Sequence, residues 1–434
     1  MNHKGKYIAF FTLGCKLNFS ETSYIAKGLE EEGYNLVSFN QTADYYVIHT
    51  CTVTQAADRK SRILIRKISR KNPDAVIVAM GCYSQIKPEE LASIEGVDIV
   101  LGTAEKFNLG NYLKQYRKGQ PLLISISPAE EANLFLPAHS GSDRTRSFLK
   151  IQDGCDYTCT YCIIPVARGK SRSPCIKDIV LQAEIIAGKG VKEIILTGVN
   201  IGDFGRLTGE SFLGLLKELD KVQGINRFRM SSIEPNLLDD DIINFVAGSN
   251  RIAPHFHIPL QSGCDRILKL MQRRYTTDLF EECISSIRKT LPEAGIGVDV
   301  ITGFPGETDF DFTQTCKFLD QLDISYLHVF TYSERDNTKA MYMNNKVDHT
   351  VKVKRSKLLH KLSDKKRMSF YNSYTGKSAT ALFEAKKHNG RMFGYTGNYI
   401  KVEKPFDFID IGSVLKVRLL NINENGNINV EVAG

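Results

Sequence analysis

Short apolar runs followed by amphipathic stretches recur twice along this chain, and that alternation restricts the available folds more than any other feature. In the first 105 residues, IAFF (8–11), YYVI (45–48), AVIVAM (75–80) and DIVLG (98–102) have the length of buried strands. ETSYIAKGLEEEG and QAADRKSRILIRKISRKN lie between them and read as helices, the second ended by Asn72-Pro73. Such alternation predicts a parallel α/β sheet. The stretch 117–145, with Lys118-Gly119, Pro128, Pro137 and GSDRTR, reads as loop and as a domain boundary.

From about residue 147 to 335 the alternation resumes. FLKIQ, EIILTG, RFRMSS, FHIPL, GVDVITG and LHVFTYS are six strand candidates, separated by stretches such as KDIVLQAEIIAGKG and TDLFEECISSIRKTL. Six units are too few for a closed eight-fold barrel and predict a partial, open one. Residues 350–371 form a very basic helical run. Residues 373–434 carry strand-like segments punctuated by Gly and Asn, the pattern of a small β-barrel of OB-like size. The expected division is 1–135, 145–371 and 372–434, an α/β chain with a small β-barrel at its end.

The N-terminal apolar run is too short to span a bilayer and is not followed by a cleavage-site pattern. The expectation is a cytoplasmic protein with no membrane partner. In that reducing compartment ten cysteines are not a disulfide framework, and clustered ones point to metal or catalytic use. The formal net charge of +8 leans toward an anionic partner.

Two cysteine trios stand out. Cys15, Cys51 and Cys82 each follow directly on a predicted strand (IAFFTLGC, YYVIHTC, VIVAMGC). In a parallel sheet the strand C-termini share one edge, where such folds place their ligands, so the three can converge. The competing reading is three small buried hydrophobes. Cys155, Cys159 and Cys162 are packed into GCDYTCTYC, after the strand candidate FLKIQ. A structural zinc site would need a fourth ligand, for which Cys175 and His139 are candidates. An iron–sulfur cluster held by three thiolates instead leaves one iron open.

Cys155-x3-Cys159-x-Tyr161-Cys162 is similar to the CxxxCxΦC signature of radical S-adenosylmethionine (SAM) enzymes. TLGCKLN (12–18), HTCTVT (49–54) and MGCYSQ (80–85) resemble the three cysteine motifs of the methylthiotransferases within that family, and DGCDYTCTYCIIPVARGKSRS (153–173) resembles their radical core. GYTGNYIKV (394–402) resembles a TRAM domain, an RNA-binding β-barrel. HTCTVT, and RGKSRS without an inserted Glu-Val, resemble the MtaB-type branch, although Phe19-Ser20 departs from the Gln and Tyr more usual there.

The resemblance implies two 4Fe-4S clusters and two SAM molecules per turnover. The cluster on Cys155, Cys159 and Cys162 would chelate SAM through its vacant iron, with Tyr161 near the adenine, and reduce it to a 5′-deoxyadenosyl radical. That radical would take the C2 hydrogen of N6-threonylcarbamoyladenosine at tRNA position 37. The auxiliary cluster on Cys15, Cys51 and Cys82 would deliver a methylated sulfur. A carbon–hydrogen bond of this kind offers little to acid–base catalysis, and the cofactor carries the hard chemistry. An external reductant is implied. Gly198 and Asn200 in LTGVN, and Ser232 and Glu234 in SSIEP, are the SAM-contacting candidates, against an ordinary capping or turn role. Gln261 and Arg172 are secondary candidates, and Cys175, Cys264, Cys283 and Cys316 match no ligand motif.

The basic run from Val351 to Arg367, with eight Lys or Arg, and the cations of the 56–71 helix are candidate RNA contacts, against a merely solvated face. Alternative functions are a methylthiotransferase acting on isopentenyladenosine in tRNA or on a ribosomal protein, and a non-catalytic metal-containing RNA-binding protein.

Overall fold

A computed structural model describes residues 5–129, 135, 136, 138–140 and 145–433; Pro137 and the first four residues of GSDRTR lie outside them. The chain forms two compact units, each built from non-contiguous segments.

The first unit comprises Met1–Gly141, Gln152–Ser173 and Ser333–Met341. Its sheet has strands β1 (Tyr7–Thr12), β2 (Asn35–Val37), β3 (Tyr45–Thr50), β4 (Val76–Gly81), β5 (Ile99–Leu101) and β6 (Leu123–Ser125). They are all parallel, in the order β2-β1-β3-β4-β5-β6. The helices are α1 (Lys16–Glu31), α2 (Gln55–Lys71), α3 (Cys82–Ile86), α4 (Pro88–Ala92), α5 (Leu109–Gln115) and α6 (Ile164–Arg168). Every residue of β3 and β4 is buried, which is why these strands read as continuous apolar runs rather than alternating ones. Ala9, Ile48, Ile77 and Ala79 pack on one face with Ile65 and Ile68 of α2, while Ile8, Val47 and Val78 pack on the other with Ile25 and Leu29 of α1. The edge strands β2 and β6 have three residues each, none of them buried, and are too short to announce themselves in the sequence. Strand β6 therefore falls inside the stretch expected to be loop.

The second unit comprises Ser142–Ile151, Pro174–Tyr332 and Tyr342–Gly434. All six expected strands are present: β7 (Arg146–Lys150), β8 (Glu193–Thr197), β9 (Arg227–Met230), β10 (His255–Gln261), β11 (Gly295–Thr302) and β12 (Tyr326–Thr331). They run parallel in two groups of three, linked by isolated parallel bridges at Phe228–Ile252 and Ser232–His257. The intervening helices are α7 (Ile176–Gly188), α8 (Phe212–Leu219), α9 (Asp240–Gly248), α10 (Asp265–Leu270), α11 (Thr277–Thr290) and α12 (Asp309–Gln321). Alternate strand residues, among them Ile194, Leu196, Phe228, Ile258 and Val298, join these helices in one core. The residues between them turn to the opposite, luminal face. This is the predicted partial barrel.

The basic run forms α13 (His349–Asn372), capped at its start by the Asp348 carboxylate. After it, β13 (Ser378–His388), β14 (Arg391–Thr396), β15 (Lys401–Pro405), β16 (Val414–Ile422) and β17 (Ile428–Val432) close into a small barrel in the order β13-β14-β15-β17-β16. RMFGYTGNYIKVE forms two of these strands, joined by a turn in which Tyr399 takes φ 71°.

That turn seats on the N-terminal ends of the parallel strands. Arg146 lies 4.7 Å from the Tyr395 ring centroid and Arg229 4.7 Å from that of Tyr399. Arg227 donates to the Tyr395 carbonyl (3.1 Å), and Arg229 to those of Gly397 (2.8 Å) and Thr396 (3.0 Å). His255 packs on Tyr399 with ring centroids 4.6 Å apart. A Cβ on Gly295 would fall 2.1 Å from the Asn398 carbonyl oxygen. Glu193, fully buried, balances the arginines at 2.9 Å from Arg229 Nε and 3.0 Å from Arg227 Nη1. Burial pushes its carboxyl up, but Arg229, Arg227 and Arg146 outweigh this and hold it below the usual glutamate range. Among the described residues no helix is long and apolar enough to cross a membrane.

Candidate active site

The first unit contains all six singled-out cysteines. Cys15 is the N-cap of α1, Cys51 follows β3, and Cys82 opens α3 directly after β4. Because β1, β3 and β4 are adjacent parallel strands, these three positions lie side by side on one sheet edge. Gly14, at φ +98°, is pressed against Cys51: a Cβ there would fall 2.6 Å from the Cys51 Cβ and 2.8 Å from its sulfur. Burial, then the neighbouring Cys82 and Cys15, push the Cys51 thiol up to about 12. Burial likewise pushes up Cys82, against the pull of Arg168 and Lys106. Thiols so placed ionise when a metal supplies the compensating charge.

Cys155, Cys159 and Cys162 occupy a loop pinned at its base. Asp153 and Arg172 pair their backbones in both directions (2.9 and 2.8 Å) and their side chains at 3.0 Å. The Gln152 amide donates to the Gly154 carbonyl (2.8 Å) and to Ser171 Oγ (3.0 Å). Gly154, at φ +70°, admits no side chain, since a Cβ would fall 1.9 Å from the Lys170 carbonyl oxygen. The Tyr157 amide donates to the Cys155 sulfur (3.4 Å), and the Cys162 amide to the Cys159 carbonyl (3.0 Å). The segment 333–341 braces this unit: Ala340 N donates to the Thr160 carbonyl (2.8 Å), and Arg335 binds Asp58 (2.6 Å) and the Thr52 carbonyl (3.2 Å) beside Cys51.

Among the described residues neither trio brings its three sulfurs within 4.8 Å of one another. Tetrahedral zinc with thiolate bonds of 2.3 Å would set sulfur pairs about 3.8 Å apart. Nor does Cys175 serve as a fourth ligand here, since its thiol donates to Asp178 (3.1 Å) at the start of α7. Cys264 donates to Gln314 (3.1 Å) and Asp311 (3.3 Å), and Cys283 lies in the apolar core, as expected for cysteines without a ligand motif.

Between the cysteine loops runs a buried polar network that the motifs do not reveal. Asn18 Nδ2 donates to the carbonyls of Leu13 (2.8 Å) and Thr50 (3.1 Å), each within two residues of a cysteine. Arg168, 2% exposed, donates to Asn18 Oδ1 (2.6 Å), Asp153 Oδ1 (2.9 Å) and both oxygens of Glu21 (3.1 and 3.2 Å). Lys106 also binds Glu21 (2.6 Å). One signal was available: Asn18 and Glu21 share the i, i+3, i+7 face of α1 with Ile25, so polar residues occupy a stripe that is otherwise core.

The remaining candidates lie in the second unit. Gly198 and Asn200 follow β8, the Asn200 side chain being buried. Ser232 and Glu234 follow β9 and turn to different partners. Ser232 Oγ lies 3.2 Å from His257 Nδ1, whereas Glu234 pairs with Arg273. Gln261 sits at a β-bulge with φ 70°. His257, Asp299 and His328 bring their ligand atoms within 4.8 Å of one another. Both ring nitrogens of His257 are already engaged, Nδ1 with Ser232 and Nε2 with Asp299 at 2.6 Å, so hydrogen bonding accounts for this group. The phosphate-gripping role expected for the basic run is reduced. Arg355 is buried against Glu307 (2.6 Å) and Asp309 (2.8 Å), Lys366 caps the Leu322 carbonyl (2.6 Å), and Lys365 and Arg367 pair with Asp320 and Asp364 (3.0 Å each). Lys354, Lys357 and Lys361 are exposed, as are Arg59, Lys60, Arg66, Lys67 and Arg70 on α2.

Residues 149–319 match the radical SAM superfamily, and residues 7–102 match an uncharacterised protein family, UPF0004. The fold agrees: a radical S-adenosylmethionine methyltransferase, TsrM, from Kitasatospora setae superposes with a TM-score of 0.58 at 15% identity, covering 78% of this chain and 77% of that one. Fold and cysteine loops thus define a radical SAM protein, with SAM and iron–sulfur clusters as its cofactors. The chain is 41% identical to the threonylcarbamoyladenosine tRNA methylthiotransferase MtaB of Bacillus subtilis (strain 168) over 95% of its length and 93% of the relative's. It is 39% identical to the protein of that name from Aquifex aeolicus (strain VF5), over 94% and 99%. A tRNA-2-methylthio-N(6)-dimethylallyladenosine synthase from Syntrophus aciditrophicus (strain SB) is 32% identical over 89% and 85%. The chain belongs to the MtaB family of radical SAM methylthiotransferases.

Proposed function

We propose that this chain is a tRNA-modifying enzyme that places a methylthio group on C2 of N6-threonylcarbamoyladenosine at position 37. The observation that carries the reading is the pair of cysteine trios within one compact unit, each with three thiols. Higher identity to the threonylcarbamoyladenosine relatives than to the dimethylallyladenosine one supports the choice of substrate. Cys155, Cys159 and Cys162 would hold the SAM-binding cluster, and Cys15, Cys51 and Cys82 the auxiliary one. When bound, these groups supply one-electron cleavage of SAM and sulfur for transfer. The chain supplies the rest. The Asp153–Arg172 pair fixes the first loop. Gly14 and Asn18 hold the second trio's loops at contact distance. Tyr161, Gly198, Asn200, Ser232 and Glu234 remain the candidates for SAM. Ser232 would do so with its hydroxyl oriented by His257 and Asp299, and Glu234 while tethered by Arg273.

The exposed lysines of α13 and cations of α2 are the proposed tRNA contacts, and a loop base leaves its stack at modest cost. Removing residues 373–434 is a poor test of RNA binding, because Arg227 and Arg229 would lose the carbonyls that satisfy them. Charge reversal at Lys354, Lys357 and Lys361 probes it without that damage. Binding should weaken, and its salt dependence should flatten.

The decisive experiment is anaerobic reconstitution with iron and sulfide, then SAM, reductant and tRNA carrying threonylcarbamoyladenosine, with mass spectrometry of the digested nucleosides. The methylthio derivative is expected. Methylthio product on a tRNA carrying dimethylallyladenosine, with only 5′-deoxyadenosine formed on the first tRNA, would reassign the substrate.

A further inference from the structure

The buried network beneath the cysteine loops sets two buried cations, Lys106 and Arg168, against two buried carboxylates, Glu21 and Asp153, with the part-exposed Arg172 at its margin. Lys106, Arg168 and Arg172 face Glu21 and Asp153. Lys106, Arg168, Glu21 and Asp153 are all nearly inaccessible. A cation held in such a place acts at close range on any anionic group bound beside it. Iron–sulfur cores on three thiolates are anionic, and their potentials respond to nearby charge and hydrogen bonds.

Arg168 is also where the two loops meet. It closes α6, just after the Cys155–Cys162 loop, and its fork reaches Asp153 at that loop's base. Through Asn18 it reaches the carbonyls of Leu13 and Thr50, which precede Cys15 and Cys51. Thr50 Oγ1 in turn donates to the Met80 carbonyl (2.8 Å), on the strand leading to Cys82. One guanidinium is thus two hydrogen-bonded steps from the backbone that precedes Cys15 and Cys51, three from the strand that leads to Cys82, and one step from the other loop. Lysine could match the charge but not the planar fork.

We propose that Arg168 is a positioning residue with two separable effects: its fork registers the two cysteine loops against each other, and its charge raises the reduction potential of the auxiliary cluster. The inference rests on the two-cluster reading above. If the loops are out of register, SAM is still cleaved but the sulfur no longer meets the substrate carbon.

The test uses full-length, reconstituted protein. Wild type, Arg168→Lys, Arg168→Met and Glu21→Gln are compared for the ratio of methylthio nucleoside to 5′-deoxyadenosine. In a background lacking the three loop cysteines (Cys155→Ala, Cys159→Ala, Cys162→Ala), the auxiliary cluster's potential is measured by EPR-monitored titration. Arg168→Lys should lower the product ratio by about tenfold or more while leaving the potential near wild type. Arg168→Met should lower both. Glu21→Gln should move the potential the opposite way, upward. A general packing defect would not reverse sign between Arg168→Met and Glu21→Gln. Unchanged ratio and potential in Arg168→Met, or a shift of the same sign in both variants, would overturn the proposal. Should Arg168→Met fail to take up iron, the Arg168→Lys ratio and the Glu21→Gln sign still decide it. Absence of any cluster signal in the wild-type background would instead refute the two-cluster reading.

Discussion

The two cysteine trios sit in the same unit but are built in opposite ways. Cys155, Cys159 and Cys162 share one loop, closed at its base by Asp153 and Arg172. Cys15, Cys51 and Cys82 belong to three strand ends and meet only when β1, β3 and β4 pair in register. The first site is local, and a short segment specifies it. The second is a property of the whole sheet, whose closure entropy must be offset before the thiols come together. A motif search therefore finds the first by spacing, while the second becomes visible only through each cysteine's position after a strand.

The contrast can be pressed experimentally. The largest effects should come from the proposed ligands. Cys159→Ala should abolish 5′-deoxyadenosine formation, by orders of magnitude, yet keep the auxiliary iron. Cys51→Ala should keep 5′-deoxyadenosine and lose the methylthio product. Product from both variants, read by mass spectrometry, would show that the trios are not distinct sites.

Next come the glycines. Gly154→Ala must displace the Lys170 carbonyl and should empty the loop site alone. Gly14→Ala presses on Cys51 and should empty the sheet-edge site alone. Iron and sulfide content, with EPR to assign the loss, distinguishes them. Asn18→Ala should cost about 1–3 kcal/mol by leaving two buried carbonyls short of a donor, seen as a lower urea midpoint.

The smallest effect on either trio should come from Glu193, which lies in the other unit. Its folded-state carboxyl is held below the usual range, so its stabilisation is fully present above the unfolded-state value and is lost as pH falls through the folded one. Urea midpoints taken from pH 7 to pH 3 should fall, with a shallower acid limb in Glu193→Gln. Iron content at neutral pH should not change.

Much of the architecture was legible because the physics is periodic. Buried parallel strands such as YYVIHT and VIVAMG open on near-continuous apolar runs. Strands β2 and β6 were not legible, because three-residue edge strands bury little. The six cysteines stood out in the sequence, whereas Asn18, Glu21, Lys106, Arg168 and Arg335, which the structure places around them, did not. Each of these acts through a long-range hydrogen bond that local sequence does not encode. The basic run misled in part. Charge at Arg355 and Lys366 looked like a polyanion surface and is spent inside the fold, on Glu307 and on helix-end carbonyls. GYTGNYIKV was read as the mark of an RNA-binding module, and its turn proves to be the part that docks.

That docking has a consequence for traffic. An arc of six strands has two mouths and an open flank. Tyr395, Tyr399 and the carbonyls between them stopper one mouth, with three strand arginines gripping the stopper from the barrel side. Whatever enters the lumen, whether cofactor, base or solvent, is left with the C-terminal rim or the flank. The tail is thus a floor as much as an appendage, and a version of this protein without it would be a vessel with no bottom.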